Sequence, residues 1–249
     1  RIAEVSAWLV PIMAVLYFVS VLSAILLNID QLLPSFRLIF VDAFTGNAVL
    51  GGGIAGVIIT GIRRGAFSNE AGIGTESLVH GAAKTSNPVK QGLVAMTGPI
   101  FDTLIMCTLT ALIILISGVW QSSDSSGVTL TSEAFSMILG PIGSLILFLC
   151  VVSFGMSTIF TYSYYGASCA KFLFGESGNK IYQYIFILFV GIFSVTSLDF
   201  ALNVVDGSFA MMAIPTLIST IWLAPKVVAK ANDYFTTLKT QDKKELNRA

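Results

Sequence analysis

The stretch from Ala43 to Gly74, AFTGNAVLGGGIAGVIITGIRRGAFSNEAGIG, carries the main signal for the fold. It holds a short apolar piece ending near Phe44, three consecutive glycines at Gly51–Gly53, and a second apolar run that stops at Arg63. Unpaired backbone groups are costly in hydrocarbon, so a spanning helix is interrupted only where it is buried in protein or lines a polar cavity. The stretch therefore predicts one membrane crossing whose helix is broken near the three glycines.

A break of this kind has two interpretations. Half-helix ends near the bilayer midplane hold substrates and coupling ions in many secondary transporters. Small residues also let two helices approach closely, and in that case the glycines serve packing alone. On the first interpretation we assign four residues to a substrate site, namely Phe44, Gly51, Gly52 and Gly53.

Composition places the chain in the membrane. Of its 249 residues, 55% are hydrophobic and 11% are charged, and the mean hydropathy is +0.82. Soluble domains carry about 25% charged residues, so an all-α integral membrane protein in a lipid bilayer is expected. The formal net charge of zero argues against a nucleic-acid partner. The sequence has no phosphate-binding loop, serine triad or zinc-ligand spacing, so we do not expect an enzyme.

The hydropathy pattern predicts six crossings within residues 1–228 and a charged cytoplasmic tail over 229–249. The predicted spans are Trp8–Asn28, the broken crossing from Phe36 to Ile62, Gln91–Gly118, Gly143–Phe174, Ile181–Val205 and Ser208–Val228, with a tight polar loop at Gly175–Lys180. Lysines and arginines collect on the loops of one face and in the tail. Cytoplasmic loops carry such an excess, so both ends of the chain are predicted to be cytoplasmic.

Asp102 is the most unusual single residue, because it lies inside an apolar span. A charge at the centre of a membrane helix costs about 2.5–3.5 kcal/mol on insertion scales, and such residues usually face the bundle interior and have a partner. We therefore predict either an ion or proton site at Asp102, or a structural carboxylate paired with backbone N–H groups or an arginine.

A second polar cluster lies in the span that begins at Gly143. Ser153 and Ser157 are four residues apart, as are Thr158 and Tyr162, and residues with this spacing share a helix face. Hydroxyl and carbonyl oxygens are hard ligands that suit alkali and alkaline-earth cations. The alternative is that these hydroxyls bond their own helix carbonyls and serve only packing.

The residues from Gly61 to Leu115 resemble the alanine or glycine:cation symporter family, the sodium:alanine symporters. The resemblance rests on FSNEAGIG at Phe67–Gly74, followed by HGAAKT, NPVKQG and FDTLIMCT at the family's spacing. SFGMSTIFTYSYYG at Ser153–Gly166 is similar to the family's motif in the corresponding later helix. Asn69 and Glu70 belong to the cytoplasmic loop motif.

The resemblance implies a leucine-transporter-type (LeuT-type) inverted-repeat fold of the APC superfamily. This chain would supply the last helix of repeat one and all of repeat two, and an N-terminal half of the same protein would be its partner. Ser157 and Thr158 match the sodium position of the third helix of repeat two, and Asp102 joins them as a candidate sodium ligand. Thr158 and Tyr162 match positions that line the amino-acid pocket. Relatives often carry Trp at Tyr162, and many carry Glu at Ala167.

The implied function is sodium-coupled symport of a small neutral amino acid, alanine or glycine, across the bacterial cytoplasmic (inner) membrane. The sodium ion would be transported as the coupling ion, and the mechanism would be alternating access around a fixed site. Two alternatives stay open. One is a proton-coupled amino-acid carrier that uses Asp102, and the other is a non-transporting scaffold or receptor in which the glycines at the break have no transport role.

Overall fold

The computed structural model describes residues 2–44 and 53–246, and every regular element in these two ranges is a helix. In chain order they are α1 (Ile2–Leu27), α2 (Ile29–Phe44), α3 (Gly53–Asn69), α4 (Thr75–Gly81), α5 (Pro88–Ala95), a π-helix (Ile100–Cys107), α6 (Thr108–Ser117), a 3₁₀ turn (Val119–Gln121), α7 (Gly127–Phe193) and α8 (Leu198–Leu246).

Four helical stretches of the described residues are long and apolar enough to cross a membrane. They are Trp8–Leu27, Pro88–Ser117, Gly127–Phe193 and Leu198–Gln241. The first and second coincide with predicted spans. An all-helical chain with several such stretches is a multi-pass membrane protein, as the composition indicates.

The predicted broken crossing lies partly outside the described residues. Helix α2 ends at Phe44 and helix α3 begins at Gly53. The residues between them, with Gly51 and Gly52, are not described, so the interruption of this crossing stays a prediction. The end of α3 lies seven residues beyond Ile62, where the hydropathy pattern ended its apolar run.

The helices form two compact units. One comprises Arg1–Ser68 and Ile100–Gly166, and the other comprises Asn69–Pro99 and Ala167–Ala249. In the first unit α6 packs against α1 and α2. The apolar core of that unit joins three helices, and its buried residues are Val21, Ala24, Ile25, Leu112, Ile113, Phe135 and Leu147.

A hydrogen bond between hydroxyls supports the contact of α1 with α6. Tyr17 Oη and Thr110 Oγ1 are 2.6 Å apart, and Thr110 donates its own hydrogen to the Met106 carbonyl at 2.8 Å. A threonine hydroxyl has one hydrogen, so Tyr17 is the donor in the first bond. The phenol is thereby satisfied within the apolar core, as a buried Tyr generally is.

In the second unit α5 packs against α4 and α8. Asn87 caps α5, since its Oδ1 accepts from the Val89 N–H at 2.9 Å and Pro88 occupies the first turn. Both features are typical of a helix start. His80 of α4 and Gln91 of α5 are joined by a hydrogen bond of 2.8 Å.

Helix α7 changes direction at Gly140, although its hydrogen bonding continues. Gly140 has φ +68°, in the left-handed region, and Pro141 follows it. A Cβ at Gly143 would overlap the carbonyl oxygen of Phe135. In a straight α-helix residues eight apart are about 12 Å apart along the axis, so the chain has turned sharply between these positions. Glycine at a helix end followed by proline is the expected sequence for such a stop and restart.

A second turn of the same kind lies at Gly175. Its φ is +71°, and a Cβ at Gly178 would lie 3.0 Å from the Ala170 carbonyl oxygen. The predicted polar loop at Gly175–Lys180 is therefore wrong, because these residues are helical. The chain nevertheless turns at this position. One left-handed glycine reverses the direction locally, so helical hydrogen bonding resumes without loop residues.

Two predicted boundaries are wrong. The predicted span Ile181–Val205 ends early, because α7 stops at Phe193 and α8 starts at Leu198. The polar residues Asp206 and Gly207, which separated two predicted spans, lie inside α8. The hydropathy pattern placed the boundary between the two spans at the charged Asp206. In the structure the boundary between α7 and α8 lies at residues 194–197, which are mostly small and polar. There Ser194 and Thr196 hydroxyls donate to carbonyls three residues back and close the last turn of α7.

Candidate functional site

Asp102 lies in the π-helix Ile100–Cys107 and accepts hydrogen bonds from two hydroxyls. Ser68 Oγ donates to Asp102 Oδ2 at 2.5 Å, and Thr103 Oγ1 lies 3.4 Å from the same oxygen. Ser68 is the penultimate residue of α3. The prediction that Asp102 has a partner is confirmed, but the partners are hydroxyls rather than an arginine or backbone N–H groups.

The π-helix gives this group a local widening of the backbone. Each π-type turn bonds residue i to i+5, and such segments often occur at functional sites. Cys107 closes the segment, and its Sγ lies 3.3 Å from Ser68 Oγ. The segment presents the Asp102 carboxylate and the Thr103 hydroxyl, and Ser68 adds a second hydroxyl from α3. All three groups offer hard oxygen atoms of the kind that bind cations.

Ser157 is the buried hydroxyl of the second polar cluster. Its side chain is 6% exposed, and it donates to the Phe154 carbonyl at 2.8 Å. The Ser157 carbonyl accepts from Thr161 Oγ1, also at 2.8 Å. The Ser157 hydrogen is therefore used within α7, while its oxygen retains lone pairs that can accept a donor or face a cation.

Thr158 and Tyr162 follow one turn apart on α7 and are half-buried. The Tyr162 ring lies 5.5 Å from the Tyr165 ring, measured between centroids, at an angle of 56°. Tilted aromatic pairs at this separation are favourable. The pair holds the Tyr162 ring in place beside the Ser157–Thr158 segment, which is where the resemblance places an amino-acid pocket.

The remaining predicted substrate residues lie at the helix ends that flank the break. Phe44 is the last residue of α2 and Gly53 is the first of α3, while Gly51 and Gly52 are outside the described residues. The contacts of these four residues stay predictions.

Asn69 and Glu70 form a turn after α3. Asn69 Oδ1 accepts from the Ala71 N–H at 3.0 Å, and the Glu70 carboxylate accepts from the Thr75 hydroxyl. Glu70 has φ +55°, and Thr75 is 2% exposed. The acidic residue of the loop motif thus organises the start of α4.

Sequence reasoning missed Ser68 and Thr216. Ser68 is 34 residues from Asp102, and Thr216 donates to the Ile73 carbonyl from 143 residues away. A lone serine or threonine in an apolar helix usually bonds its own helix. Ser68 stood out only as a member of the FSNEAGIG motif and Thr216 not at all, so only the tertiary contacts identify their partners.

A cavity of about 370 Å³ runs along one side of α2. Its lining residues are Leu33, Pro34, Arg37, Leu38, Val41 and Asp42. Its lining contains none of the predicted site residues that the structure describes. Among the described residues no group of three or more His, Cys, Asp or Glu side chains could hold a metal ion. Hydroxyl oxygens fall outside that residue set.

Several long apolar helices, one of which carries a hydrogen-bonded carboxylate, define the class of multi-pass membrane proteins. The sodium:alanine symporter family model matches residues 1–248. The chain therefore belongs to the sodium:alanine symporter family. Proteins of this family are transporters and not enzymes.

Three relatives show the breadth of the family. A protein called an uncharacterized transporter from Haemophilus influenzae is 37% identical over 244 residues, which cover 96% of this chain and 54% of the relative. The sodium/alanine symporter AgcS of Methanococcus maripaludis is 36% identical, covering 94% and 52%. The probable sodium/glutamine symporter GlnT of Bacillus subtilis is 35% identical, covering 94% and 49%. The chain spans about half the length of these relatives.

Proposed function

We propose that the protein is a sodium-coupled symporter of a small neutral amino acid, alanine or glycine, in the bacterial cytoplasmic membrane. The observation that carries the proposal is the family match over residues 1–248. The similarity to the sodium/alanine symporter AgcS supports sodium and alanine, whereas the similarity to the probable sodium/glutamine symporter GlnT supports sodium with a larger amino acid.

We assign the fold to the leucine-transporter type, with α1 as the last helix of repeat one and with α2 and α3 as the two halves of the broken crossing. Transport would proceed by alternating access around a site near the midplane, a common arrangement in secondary transporters. The six-crossing topology puts both ends of this chain in the cytoplasm. The family resemblance and the lysine-rich tail support this orientation.

In this mechanism Ser157 and Thr158 contribute hydroxyl oxygens to the sodium ion, and Phe44, Gly51–Gly53, Thr158 and Tyr162 line the amino-acid pocket. Ser157 is buried within an apolar helix and donates its hydrogen to the Phe154 carbonyl. Sodium must bind the two transport states unequally to drive transport, since equal affinity shifts no equilibrium. Hydroxyl oxygens that contact the ion in one state only would supply that difference.

The variant Thr158→Val tests this assignment, because it keeps the side-chain shape and removes the hydroxyl. Radiolabelled alanine uptake is measured in proteoliposomes that contain the full-length protein, with the sodium concentration varied. We expect the half-saturating sodium concentration to rise roughly tenfold, the effect of one lost ligand of about 1.4 kcal/mol.

Thr131→Val is the matched control, since Thr131 lies on the same helix and donates to the Gly127 carbonyl at 3.2 Å. Unchanged sodium dependence in Thr158→Val would remove Thr158 from the sodium site. Wild-type uptake without any sodium dependence would overturn the proposed function itself.

A proton-coupled carrier that uses Asp102 is the second candidate. It is favoured by the position of this carboxylate in a π-helix with Ser68 and Thr103 as hydroxyl partners. Intramembrane carboxylates often belong to proton or ion pathways. The same uptake assay separates the two candidates, because a proton-coupled carrier responds to a pH gradient in sodium-free buffer.

A further inference from the structure

The loop that joins α3 to α4 has one defined shape. The Ile73 N–H donates to the Glu70 carbonyl at 3.1 Å, and Thr75 donates to the Glu70 carboxylate. Ile73 and Thr75 are 4% and 2% exposed. Glu70 and Gly72 both adopt positive φ, at +55° and +83°. These hydrogen bonds and buried side chains define the conformation of the loop, including the directions of its backbone carbonyls.

One of these carbonyls meets helix α8. Thr216 Oγ1 donates to the Ile73 carbonyl oxygen at 3.0 Å. The next residue, Gly74, has φ +109°, and a Cβ on it would lie 2.5 Å from the same Thr216 oxygen. Glycine is therefore required at position 74 for two reasons, the backbone conformation and the close approach of the hydroxyl.

The Thr216 hydroxyl has a second acceptor, the Met212 carbonyl oxygen of its own helix, 2.9 Å away. A hydroxyl carries one hydrogen, so it is shared or alternates between Ile73 and Met212. If the loop leaves, the hydroxyl keeps a partner in Met212. Opening this contact therefore leaves no unsatisfied donor on α8.

We propose that Thr216 and the Ile73–Gly74 peptide form a latch that is closed in the state described here and open in the other state of the transport cycle. Thr216 is then a positioning residue for transport. The loop continues directly from α3, which begins at Gly53 of the assigned substrate site. The transport role of the latch rests on the proposed symport function, whereas the contact itself does not.

Three variants of the full-length protein test the latch. Thr216→Val removes the hydroxyl and keeps the shape, and Thr216→Ser keeps the hydroxyl. Thr220→Val is the matched control, because Thr220 lies one turn further on α8 and donates to the Thr216 carbonyl at 2.8 Å. Amide hydrogen exchange over residues 69–76 is measured by mass spectrometry, without substrate and with saturating sodium and alanine. Alanine uptake is measured in proteoliposomes.

Without substrate, we expect Thr216→Val to exchange about two- to tenfold faster over this segment than wild type, the population change that one neutral hydrogen bond supports. Thr216→Ser and Thr220→Val should match wild type. In uptake, Thr216→Val should change the half-saturating alanine concentration and the maximal rate by similar factors, and Thr216→Ser should restore both. Sodium and alanine should change the exchange of the segment in wild type.

Equal exchange rates in Thr216→Val and Thr220→Val would show that the Thr216–Ile73 hydrogen bond does not stabilise the loop, and would overturn the latch. Faster exchange with unchanged uptake would reduce the contact to a structural clasp and overturn its role in transport. Both results leave the symport function standing, whereas absence of sodium-dependent uptake in wild type would overturn that function and the transport role together. If Thr216→Val fails to fold, Thr216→Ala removes the same hydroxyl with less bulk and replaces it.

Discussion

The carboxylate of Asp102 shows how a single charged residue is accommodated in an apolar segment. Its Oδ2 accepts from Ser68 at 2.5 Å, and Thr103 lies 3.4 Å from it. Hydrogen bonds to ionised groups are stronger than those between neutral groups. The sequence predicts a partner for Asp102 from the cost of an intramembrane charge alone, but the identity of that partner depends on how the end of α3 reaches the π-helix.

The Ser68–Asp102 hydrogen bond predicts coupled effects of mutation. Ser68→Ala and Asp102→Asn should each lower stability, and the double variant should lose less than the sum. We expect a coupling free energy of about 1 kcal/mol, between the membrane average of about 0.6 and the larger values for charged partners. Thermal unfolding in detergent, analysed as a double-mutant cycle, measures it.

Ser208→Ala is the matched control for this cycle. Ser208 is exposed and donates to the Val204 carbonyl within its own helix at 2.8 Å. Its combination with Asp102→Asn should be additive, as expected for residues without shared partners. Additive effects of Ser68→Ala and Asp102→Asn would contradict the hydrogen bond.

At the scale of helices, two glycines divide the 67-residue α7. Gly140 and Gly175 have φ of +68° and +71°, and the chain turns at each. Hydropathy alone cannot place such turns, because a left-handed glycine reverses the chain without adding polar loop residues. The turn near Gly175 was located approximately, because charged residues lie there and Lys171 and Glu176 form an ion pair.

Gly140→Ala should destabilise the fold, whereas Gly191→Ala should not. A non-glycine residue in the left-handed region costs about 1–3 kcal/mol, so we expect a lower thermal midpoint for Gly140→Ala. Gly191 is helical, and a Cβ there meets nothing within 4 Å. Alanine is favoured over glycine within a helix by up to about 1 kcal/mol, so this variant should be neutral or more stable. Equal midpoints in a detergent unfolding assay would argue against the turn at Gly140.

For the whole molecule, the distribution of apolar surface sets the environment. Phe172, Trp222 and Trp8 are 89%, 79% and 77% exposed. Side chains of this kind cover the outer faces of helices long enough to span a bilayer. A surface so rich in apolar atoms is stable only in contact with lipid or with further protein. Exposed apolar patches of this extent indicate such contacts.

The proposed topology predicts which loops can be labelled from outside the cell. In a background without Cys107, Cys150 and Cys169, Ser126→Cys should react with a membrane-impermeant maleimide in intact cells. Thr240→Cys, in the proposed cytoplasmic tail, should react only after permeabilisation. The reasons are the lysine-rich tail and the lack of Lys and Arg in residues 118–126 before α7. The cysteine-free parent is the control, and labelling of Thr240→Cys in intact cells would invert the topology.

The sequence by itself determined the membrane class, the approximate positions of most spans and the family, because hydropathy and motif spacing are local properties of the chain. It could not determine the contacts of Ser68 with Asp102 or of Thr216 with Ile73, which join residues 34 and 143 positions apart. It also missed the true boundary between α7 and α8. Only the tertiary structure decided these features, because a hydroxyl in a helix bonds its own backbone unless packing brings another acceptor within reach.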